Sequence, residues 1–276
     1  MLSTSEIIKK YHLNTKKSLG QNFILDKNFT DKIVKSCDNI ENCLILEIGA
    51  GPGSLTRSIL DAKPNKLFAI EKDKRCIQAL QELKNFYKSS LEIIEDDALR
   101  IDERKIFNNQ KFKIIANLPY NIGTVLIFKW LKIIDVIDSM YLMLQKEVVE
   151  RIVAKPNDKN YGRLAVMINY LCDTKMLFTV NKTVFTPQPK VTSAIIAIKP
   201  KKNINIETDF SILEKVVATA FNQRRKMIKT SLKPIFPDPE KILLKCNIKP
   251  DSRPEQLSID DFCKISKYVN NEKITK

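Results

Sequence analysis

The sequence predicts an α/β protein, with a parallel sheet connected by helices in one domain and a small helical domain after it. Between residues 44 and 116, short apolar runs typical of strands alternate with stretches of helical length. This alternation is the pattern of βαβ units, in which helices connect parallel strands. A glycine-rich turn follows the first apolar run, where a strand passes into a helix. Beyond residue 203 the sequence is helical in character.

The predicted elements follow one another in a regular order. Strands are predicted over Leu44–Ile48, Leu67–Ile70, Leu91–Ile94, Ile114–Ala116, Met140–Leu144 and Ala194–Ile198. Three helices are predicted in the same part of the chain: one that ends near Ser36, one from Ser54 to about Ala62, and one over Lys74–Tyr87. The stretch Lys199–Asn203 is polar and turn-prone. We therefore take it as the linker between an α/β domain with an N-terminal arm, residues 1–200, and a helical domain, residues 201–276. Pro234, Pro237 and Pro239 interrupt the helical sequence of that second domain.

The amino-acid composition and net charge limit the kinds of molecule that the protein is expected to bind. Hydrophobic residues make up 43% of the 276 residues, which is enough for a packed core and excludes a mostly disordered chain. Lys and Arg number 47 against 32 Asp and Glu, which leaves a formal charge of +15. So large a positive charge indicates a polyanionic partner, either nucleic acid or an anionic membrane surface.

Histidine and cysteine usage limits the chemistry. His12 is the single histidine, so Ser-His-Asp or Cys-His catalysis would depend on one residue near the N-terminus, and a zinc site is not expected. The six cysteines form no CxxC pair and are interpreted as buried residues of a reducing compartment.

Because no apolar run reaches about 18 residues and no signal-peptide core is present, we expect a soluble, cytoplasmic protein. Glu6 and the scarcity of arginine argue against an organelle transit segment, and a monomer would suffice.

The turn after the first predicted strand has the composition of a ligand site. Gly49, Gly51 and Gly53 are three of the six glycines in the chain, and glycine lets a ligand approach the backbone and a helix N-terminus closely. Glu71 ends the next strand, where its carboxylate can accept both hydroxyls of a ribose. A tight structural turn would explain the glycines alone. Together with Glu71 they favour a nucleoside-containing cofactor.

The spacing of the glycines distinguishes between cofactors. A dinucleotide fingerprint reads GxGxxG and holds a pyrophosphate at the helix N-terminus, whereas here Gly53 comes one position early and Ser54 follows it. Glu47 precedes the turn within the strand. This form fits S-adenosyl-L-methionine, which lacks phosphate and carries positive sulfonium and amino groups. Asp97, after the third strand, is expected to accept a hydrogen bond from the adenine amino group, and a helix N-cap is its other interpretation.

Asn117, Leu118, Pro119 and Tyr120 follow the fourth predicted strand and suit catalysis on a nucleobase amine. Such an amine is a poor nucleophile because its lone pair is delocalised into the ring. The side-chain oxygen of Asn117 and the backbone carbonyl of Leu118 or Pro119 would accept its two hydrogens and direct the lone pair toward a methyl sulfonium. Tyr120 would stack on the base. Catalysis by position and electrostatics needs no histidine base. A tight turn after a buried strand is the alternative for this tetrapeptide.

Eight segments taken together resemble the ribosomal RNA adenine N6,N6-dimethyltransferases, and most closely those that act on small-subunit (16S) rRNA. They are Lys17–Phe23, Glu47–Gly53, Asn117–Tyr120, Leu144–Val149, Tyr161–Leu164, Val184–Val191, Phe221–Lys226 and Arg253–Ser258. The segments run in order over nearly the whole chain, so the resemblance is highly specific. It implies a Rossmann-like S-adenosylmethionine-dependent methyltransferase domain and a small C-terminal helical domain that binds rRNA.

The resemblance also implies roles for individual residues. The expected contacts with S-adenosylmethionine are Asn22, Ile24, Gly49, Glu71, Asp97 and Asn117, and Asp96 competes with Asp97 for the adenine. Phe185 is expected to face Tyr120 across a flipped-out adenine, since chemistry on a structured RNA base requires flipping and stacking. A core aromatic is the other interpretation of Phe185. The implied substrate is two adjacent adenosines in the 3′-terminal hairpin loop of small-subunit rRNA, on a pre-assembled particle.

Two segments without acidic residues are predicted to contact RNA phosphates. Lys182–Lys202 contains five lysines, and the second segment contains Arg224, Arg225, Lys226, Lys229 and Lys233. The spacing of Arg225, Lys229 and Lys233 by four predicts that they share one helix face, with Val217, Phe221, Ile228 and Leu232 on the apolar side. A solvated helix face is the alternative, but the single sign of charge favours phosphate contact.

Three other functions are the alternatives to this prediction. A methyltransferase that modifies large-subunit rRNA and gives macrolide resistance would share the glycine turn and an NxPY motif, but residues 221–226 and 253–258 favour the small-subunit type. A non-catalytic RNA-binding assembly factor would not need the intact segments 49–53 and 117–120. An NAD-dependent oxidoreductase is disfavoured by the glycine spacing and by the positive charge.

Overall fold

The chain divides into two compact units. The structure is a computed structural model in which residues 2–14, 22–202 and 208–271 are described. The first unit comprises Met1–Val149 with Lys175–Pro200, and the second comprises Glu150–Thr174 with Lys201–Lys276. One division falls at Pro200, inside the predicted linker. Residues 150–174, which the sequence analysis assigned to the first domain, lie in the second unit because the helix within them packs on helices from the C-terminal part of the chain.

Twelve helices and nine strands occur in the described residues. In chain order they are α1 Thr4–Lys10, β1 Phe23–Ile24, α2 Lys27–Lys35, β2 Leu44–Ile48, α3 Ser54–Asp61, β3 Lys66–Glu71, α4 Lys74–Tyr87, β4 Leu91–Glu95, α5 Glu103–Ile106, β5 Phe112–Asn117, α6 Gly123–Leu131, β6 Ile137–Gln145, α7 Lys146–Val153, α8 Arg163–Leu171, β7 Cys172–Val180, β8 Phe185–Thr186, β9 Ser193–Pro200, α9 Phe210–Asn222, α10 Ile228–Ser231, α11 Pro239–Lys245 and α12 Ile259–Asn271. None of the helices in the described ranges has both the length and the apolar character needed to cross a bilayer.

A seven-stranded sheet forms the centre of the first unit, with the strand order β4-β3-β2-β5-β6-β9-β7. The strands from β4 to β6 are parallel, and β9 runs antiparallel to β6. The order turns back at β2, because β3 and β4 lie on one side of it and β5 and β6 on the other. A ligand cleft is expected beyond the carboxyl ends of the strands at this reversal.

The predicted strands are buried as parallel strands between helices should be. Ile45 of β2, Leu67 of β3, Leu91 of β4 and Ile115 of β5 have no solvent exposure, and all belong to one apolar core. Such continuous apolar runs explain why the sequence revealed these strands. The observed strands extend one or more residues beyond several predicted ends, as in β6, which begins at Ile137 rather than Met140.

Helices make up most of the second unit. Helix α8 packs on α9 and α12, and α10 packs on α9 and α11. Asp209 caps α9 by accepting hydrogen bonds from the backbone N–H groups of Ser211 and Ile212. The predicted breaks at prolines are confirmed at Pro239, which occupies the first turn of α11, where a missing N–H has no cost.

Candidate active site

A cleft of about 930 Å³ opens at the carboxyl ends of β2, β3, β4 and β5 in the first unit. Ten residues singled out from the sequence line it: Asn22, Ile24, Gly49, Glu71, Asp96, Asp97, Asn117, Leu118, Pro119 and Tyr120. These residues come from five separate parts of the chain. The fold brings them together because parallel strands present their carboxyl ends at one edge of the sheet. Residues 15–21 of the predicted N-terminal motif lie outside the described residues.

The glycine turn has the backbone conformation that only glycine adopts readily. Gly49, Gly51 and Gly53 have φ values of 69°, 56° and 85°, a region in which other residues are strained. At Gly53 a Cβ atom would also lie 2.4 Å from Cδ1 of Leu83. The turn therefore exposes backbone to the cleft at Gly49 and requires tight helix packing at Gly53.

Glu71 is held in the cleft wall by three backbone N–H groups. Its Oε2 accepts from Gly51 at 2.8 Å, and its Oε1 accepts from Lys72 and Asp73 at 2.8 Å each. Burial raises the pKa of Glu71, while the three N–H groups act in the opposite direction. The carboxylate connects the end of β3 to the glycine turn. Oε2, which accepts one N–H where Oε1 accepts two, can still accept a hydrogen bond from a ligand.

Glu47 is the most unusual acid of the cleft. It lies one residue before the end of β2 and is 1% exposed, and its Oε2 has no hydrogen-bond partner among the described residues. Burial raises the pKa of Glu47 to about 8, and the nearby charge of Glu71 adds to the effect. A buried carboxyl oxygen without a hydrogen-bond partner is costly. A cation in the cleft would remove much of this cost.

The two adjacent aspartates differ in how they are held. Oδ1 of Asp97 accepts the N–H of Leu99 at 3.0 Å, and its Oδ2 lies 3.4 Å from Nζ of Lys72. These contacts hold the pKa of Asp97 below its usual value. Asp96 is exposed and its Oδ1 accepts the N–H of Asp97. Asp97 thus stabilises a turn and lies in the cleft wall, but it is not a helix N-cap, because the next helix, α5, begins at Glu103 and is capped by Asp102.

Two oxygen acceptors come together at the end of β5. Nδ2 of Asn117 donates to the backbone carbonyl of Asn22 at 3.4 Å, which orients the amide. The carbonyl of Pro119 accepts the N–H groups of Ile122 and Gly123, both at 3.1 Å, and so belongs to the start of α6. No donor within the described residues bonds to the carbonyl of Leu118. Of the two carbonyls that the sequence left open, Leu118 is the one available to a ligand.

Tyr120 lines the cleft and is fixed by its hydroxyl, which forms a 2.7 Å hydrogen bond with Oγ of Ser193. Burial raises its pKa. Phe185 does not line the cleft as the prediction required. Its side chain is 2% exposed and belongs to the core, because β8 pairs with β1 and places Phe185 opposite Ile24. The structure supports the core interpretation of Phe185.

Sequence analysis missed Phe23 as part of the cleft. This side chain lines the cleft and packs against Gly51, where an added Cβ would lie 3.4 Å from the Phe23 ring. It also belongs to a small core with Ile7 and Leu13 from the N-terminal arm. An aromatic residue directly after a predicted site residue, Asn22, was the available signal.

The basic segment of the second unit does not form the predicted helix. Arg224, Arg225 and Lys226 lie in the turn between α9 and α10, and Lys233 lies beyond the short α10. A helix continuous from α9 into α10 would need the N–H of Ile228 to bond to the carbonyl of Arg224, but this N–H donates to the carbonyl of Ser252 at 2.7 Å. The prediction that Arg225, Lys229 and Lys233 share one helix face is therefore wrong. The basic side chains of Arg224, Arg225, Lys226 and Lys233 are nevertheless exposed.

Comparison with known proteins agrees with this geometry. The family model described as ribosomal RNA adenine dimethylase matches residues 12–271. The chain belongs to the ribosomal RNA adenine dimethylase family. The predicted family and the predicted enzyme class, an RNA methyltransferase, are confirmed.

Relatives of this dimethylase family member are similar over nearly its whole length. A protein of Rhodopseudomonas palustris (strain BisB18) named ribosomal RNA small subunit methyltransferase A is 41% identical, covering 98% of this chain and 96% of the relative. The protein of the same name from Ruegeria pomeroyi is 44% identical, covering 96% and 95%. The agreement extends through both units, so it includes the C-terminal segments that favoured the small-subunit type.

Solved structures confirm the Rossmann-like methyltransferase fold of this dimethylase family member. A dimethyladenosine transferase from Plasmodium falciparum superposes with a TM-score of 0.79 at 26% identity, covering 91% of this chain and 98% of that one. The 23S rRNA methyltransferase ErmE superposes with a TM-score of 0.68 at 22% identity, covering 90% and 100%. The second likeness concerns the fold alone.

Proposed function

We propose that this chain is an rRNA (adenine-N6,N6)-dimethyltransferase that uses S-adenosyl-L-methionine. Its substrate is two adjacent adenosines in the 3′-terminal hairpin loop of small-subunit (16S) rRNA, and it acts in maturation of the small ribosomal subunit. The observation that carries the proposal is the pair of acceptors at the end of β5, the Asn117 amide and the Leu118 carbonyl, in the wall of an acid-lined cleft. The names of the relatives support the choice of subunit.

The residues of the cleft fit S-adenosylmethionine better than a phosphate-bearing cofactor. Four acids and one basic residue line it: Glu47, Glu71, Asp96, Asp97 and Lys72. Even with Glu47 protonated, the three other acids outnumber Lys72, and this negative charge would repel a pyrophosphate and attract a sulfonium and an ammonium group. Glu71 would hold the ribose hydroxyls, Asp97 the adenine amino group, and Asn22, Ile24 and Gly49 the remaining cofactor surface. When bound, the cofactor supplies an electrophilic methyl group.

The acceptors at the end of β5 would activate the adenine amine by position. Oδ1 of Asn117 and the carbonyl oxygen of Leu118 would accept its two N–H hydrogens, which makes the nitrogen pyramidal and withdraws its lone pair from conjugation with the ring. N6 would then be placed to take up a methyl group that the bound cofactor would supply, and one N6 proton would pass to solvent. Pro119 makes this segment rigid, because its ring fixes φ and its carbonyl accepts the N–H groups of Ile122 and Gly123 at the start of α6.

Tyr120 is proposed to stack on the flipped-out adenine. Its hydrogen bond to Ser193 holds the ring at the cleft edge, and a base–aromatic stack contributes about 1–3 kcal/mol. Base flipping is required because N6 of a paired or stacked adenine cannot reach an enclosed methyl group.

The first test is methyl transfer from labelled S-adenosylmethionine to unmethylated small subunits and, separately, to large-subunit RNA, with nucleosides identified by mass. We expect dimethyladenosine in the small-subunit rRNA alone. Label in the large-subunit RNA would instead assign the chain to the resistance type. No transfer to either RNA, with the cofactor bound, would favour a binding factor.

A binding measurement tests the cofactor independently of transfer. Titration calorimetry should show binding of S-adenosylmethionine and none of NAD. Glu71→Ala should weaken the binding by tenfold or more, because it removes the ribose acceptor and frees the three N–H groups that now bond to it. Glu95→Ala, at the exposed end of β4 and outside the cleft lining, is the matched control.

A further inference from the structure

Lys129 of α6 contacts the turn that follows β4, where Asp97 and Ala98 line the cleft of the first unit. Its Nζ donates to the backbone carbonyl of Ala98 at 2.9 Å and to that of Ile101 at 2.7 Å. The same Nζ lies 3.0 Å from Oε2 of Glu103. An ammonium group has three N–H donors, so these three acceptors use all of them.

The two carbonyls of the turn depend on this ammonium group. Ala98 and Ile101 are 6% and 7% exposed, and no backbone N–H group within the described ranges donates to either carbonyl. A buried carbonyl without a donor is costly. Glu103 is held in turn, because its Oε1 accepts the indole N–H of the buried Trp130 at 2.7 Å. Lys129 therefore fixes the turn at two points from a rigid support.

A single peptide group connects Lys129 with the carboxylate of Asp97. The carbonyl of Ala98, which accepts from Lys129, belongs to the same peptide group as the N–H of Leu99. That N–H donates to Oδ1 of Asp97 at 3.0 Å. A peptide group is planar, so its C=O and N–H cannot turn independently of each other. The position of the ammonium group therefore sets the direction from which Oδ1 is held.

The second oxygen of Asp97 keeps the capacity to bind a ligand. Oδ2 lies 3.4 Å from Nζ of Lys72, and a carboxylate oxygen can accept more than one hydrogen bond. With Oδ1 held by the turn, the carboxylate presents Oδ2 in a defined direction. Such preorganisation reduces the entropy lost when a ligand binds.

We propose that Lys129 is a positioning residue that sets the preference of this cleft for adenine in the cofactor. It acts through the peptide group between Ala98 and Leu99, which orients Asp97 toward the adenine amino group. This inference rests on the proposed function, since it takes Asp97 as the adenine contact. Lys129 is not among the residues that line the cleft, so its effect on a ligand passes through the turn.

Binding of two nucleosides to the full-length chain tests the proposal without relying on methyl transfer. S-adenosyl-L-homocysteine carries the adenine amino group, and S-inosyl-L-homocysteine has an oxygen in its place. Titration calorimetry should show that the unaltered chain binds the first more tightly. Lys129→Met keeps an apolar stem and removes the three donors. It should raise Kd for S-adenosyl-L-homocysteine about tenfold, the effect of one lost hydrogen bond to a charged group, and change Kd for S-inosyl-L-homocysteine by less than about twofold.

Glu103→Gln separates the carbonyl contacts from the ion pair, since Lys129→Met removes both. In Glu103→Gln the ammonium group keeps the carbonyls of Ala98 and Ile101, and the amide oxygen can still accept from Trp130. The adenine preference should therefore persist in Glu103→Gln. Lys132→Met, an exposed cation at the end of α6, is the matched control and should leave both Kd values unchanged.

A double variant tests whether Lys129 acts through Asp97. Asp97→Ala alone should remove the adenine preference. Adding Lys129→Met to it should not change the ratio of the two Kd values further, because residues that act through one contact are not additive. A further fall in that ratio would overturn the proposal.

Three more outcomes would overturn it. They are equal weakening of both ligands by Lys129→Met, which would show a structural role, an equal loss of preference in Glu103→Gln, and an unaltered chain that binds both nucleosides equally. Failure of the proposed function is distinguishable from these. In that case the unaltered chain prefers the adenine nucleoside and Lys129→Met loses this preference, yet no dimethyladenosine forms in the rRNA.

Discussion

Asn117 depends on one backbone contact for its orientation. Its Nδ2 donates to the carbonyl of Asn22, so Oδ1 is the atom of the amide that can accept a hydrogen bond from the proposed substrate. The carbonyl of Pro119 is occupied by two N–H groups of the α6 start. The hydrogen bonds of single residues thus determine which oxygen atoms beside Asn117 have no donor and can accept a hydrogen bond from a substrate.

Asn117→Ala should lower kcat for methyl transfer by about 100-fold to 1,000-fold, the usual effect of removing one preorganised electrostatic group. Binding to the small subunit should be largely unchanged, since one hydrogen bond to the target base is a small part of the contacts with a whole particle. Single-turnover transfer and particle-binding assays measure the two effects. Near-normal turnover would contradict activation by position, and Gln81→Ala, an exposed amide on α4, serves as the control.

Glu47 should make the cofactor-free protein less stable as the pH rises. Its pKa is raised from 4.5 to about 8 in the folded chain, so folding favours the protonated form. The resulting penalty is absent below pH 4.5, grows between pH 4.5 and 8, and is complete above pH 8.

Glu47→Gln should therefore raise the midpoint of thermal unfolding at pH 8.5 and leave it nearly unchanged at pH 5. Glu41→Gln, on an exposed loop, gives the comparison. Thermal unfolding followed by circular dichroism without cofactor is the measurement. An equal shift at both pH values would mean that burial of the carboxyl charge is not the cause.

At the scale of elements, the glycine turn connects cleft geometry with helix packing. Gly49 faces Pro119 at ordinary contact distances, whereas Gly53 faces the buried Leu80 and Leu83 of α4. The same sequence motif therefore contains one position that serves the ligand and one that serves the core.

Gly53→Ala should destabilise the fold by about 2–4 kcal/mol, which combines a strained positive φ with overpacking against Leu83. Gly49→Ala shares the positive φ but has no contact under 3.7 Å, so about 1 kcal/mol is expected from strain alone. Urea unfolding of both variants isolates the steric contribution. Equal losses in the free energy of unfolding of the two variants would show that α4 moves freely to accommodate the added methyl group.

Pairing of short strands explains why the burial of Phe185 could not be inferred from the sequence. The two-residue strands β1 and β8 lie 161 residues apart in sequence and hold Phe185 opposite Ile24. A motif shows that an aromatic residue precedes a proline-rich turn, but it does not show which face of such a strand is buried.

At the scale of the whole molecule, the net charge of +15 is distributed unevenly. The cofactor cleft is acid-lined, and a cleft within the second unit is lined by Arg151, Arg163 and Arg224 and lacks acids. Opposite signs at the two sites suit a cationic cofactor and a polyanionic substrate.

Reversing charge at Arg225 and Lys229 should weaken binding to the small subunit and flatten its salt dependence, because each lost phosphate contact reduces the slope by about 0.7–0.9. Lys229 also forms an ion pair with Glu240 at 3.5 Å. Arg225→Glu alone should therefore account for the larger part of the loss in binding and of the change in salt slope. Filter binding at several salt concentrations measures the slope, with Lys215→Glu as the control. No change in slope would assign these side chains to solvent.

The sequence by itself determined the parallel α/β core, the family and most of the cleft. Buried parallel strands appear as continuous apolar runs, and site residues follow them directly, so both are local signals that spacing reveals. Glu71 and Asn117 could be identified in this way because each ends a strand at the same sheet edge.

Only the tertiary structure decided which carbonyl beside Asn117 is available, that Phe185 is buried, and that residues 150–174 join the C-terminal helices. It also brought Arg151 and Arg163 into one cleft with Arg224. These outcomes depend on hydrogen bonds and packing between residues far apart in sequence. Local periodicity and motif spacing contain no information on such contacts, because they arise only when distant elements fold against one another.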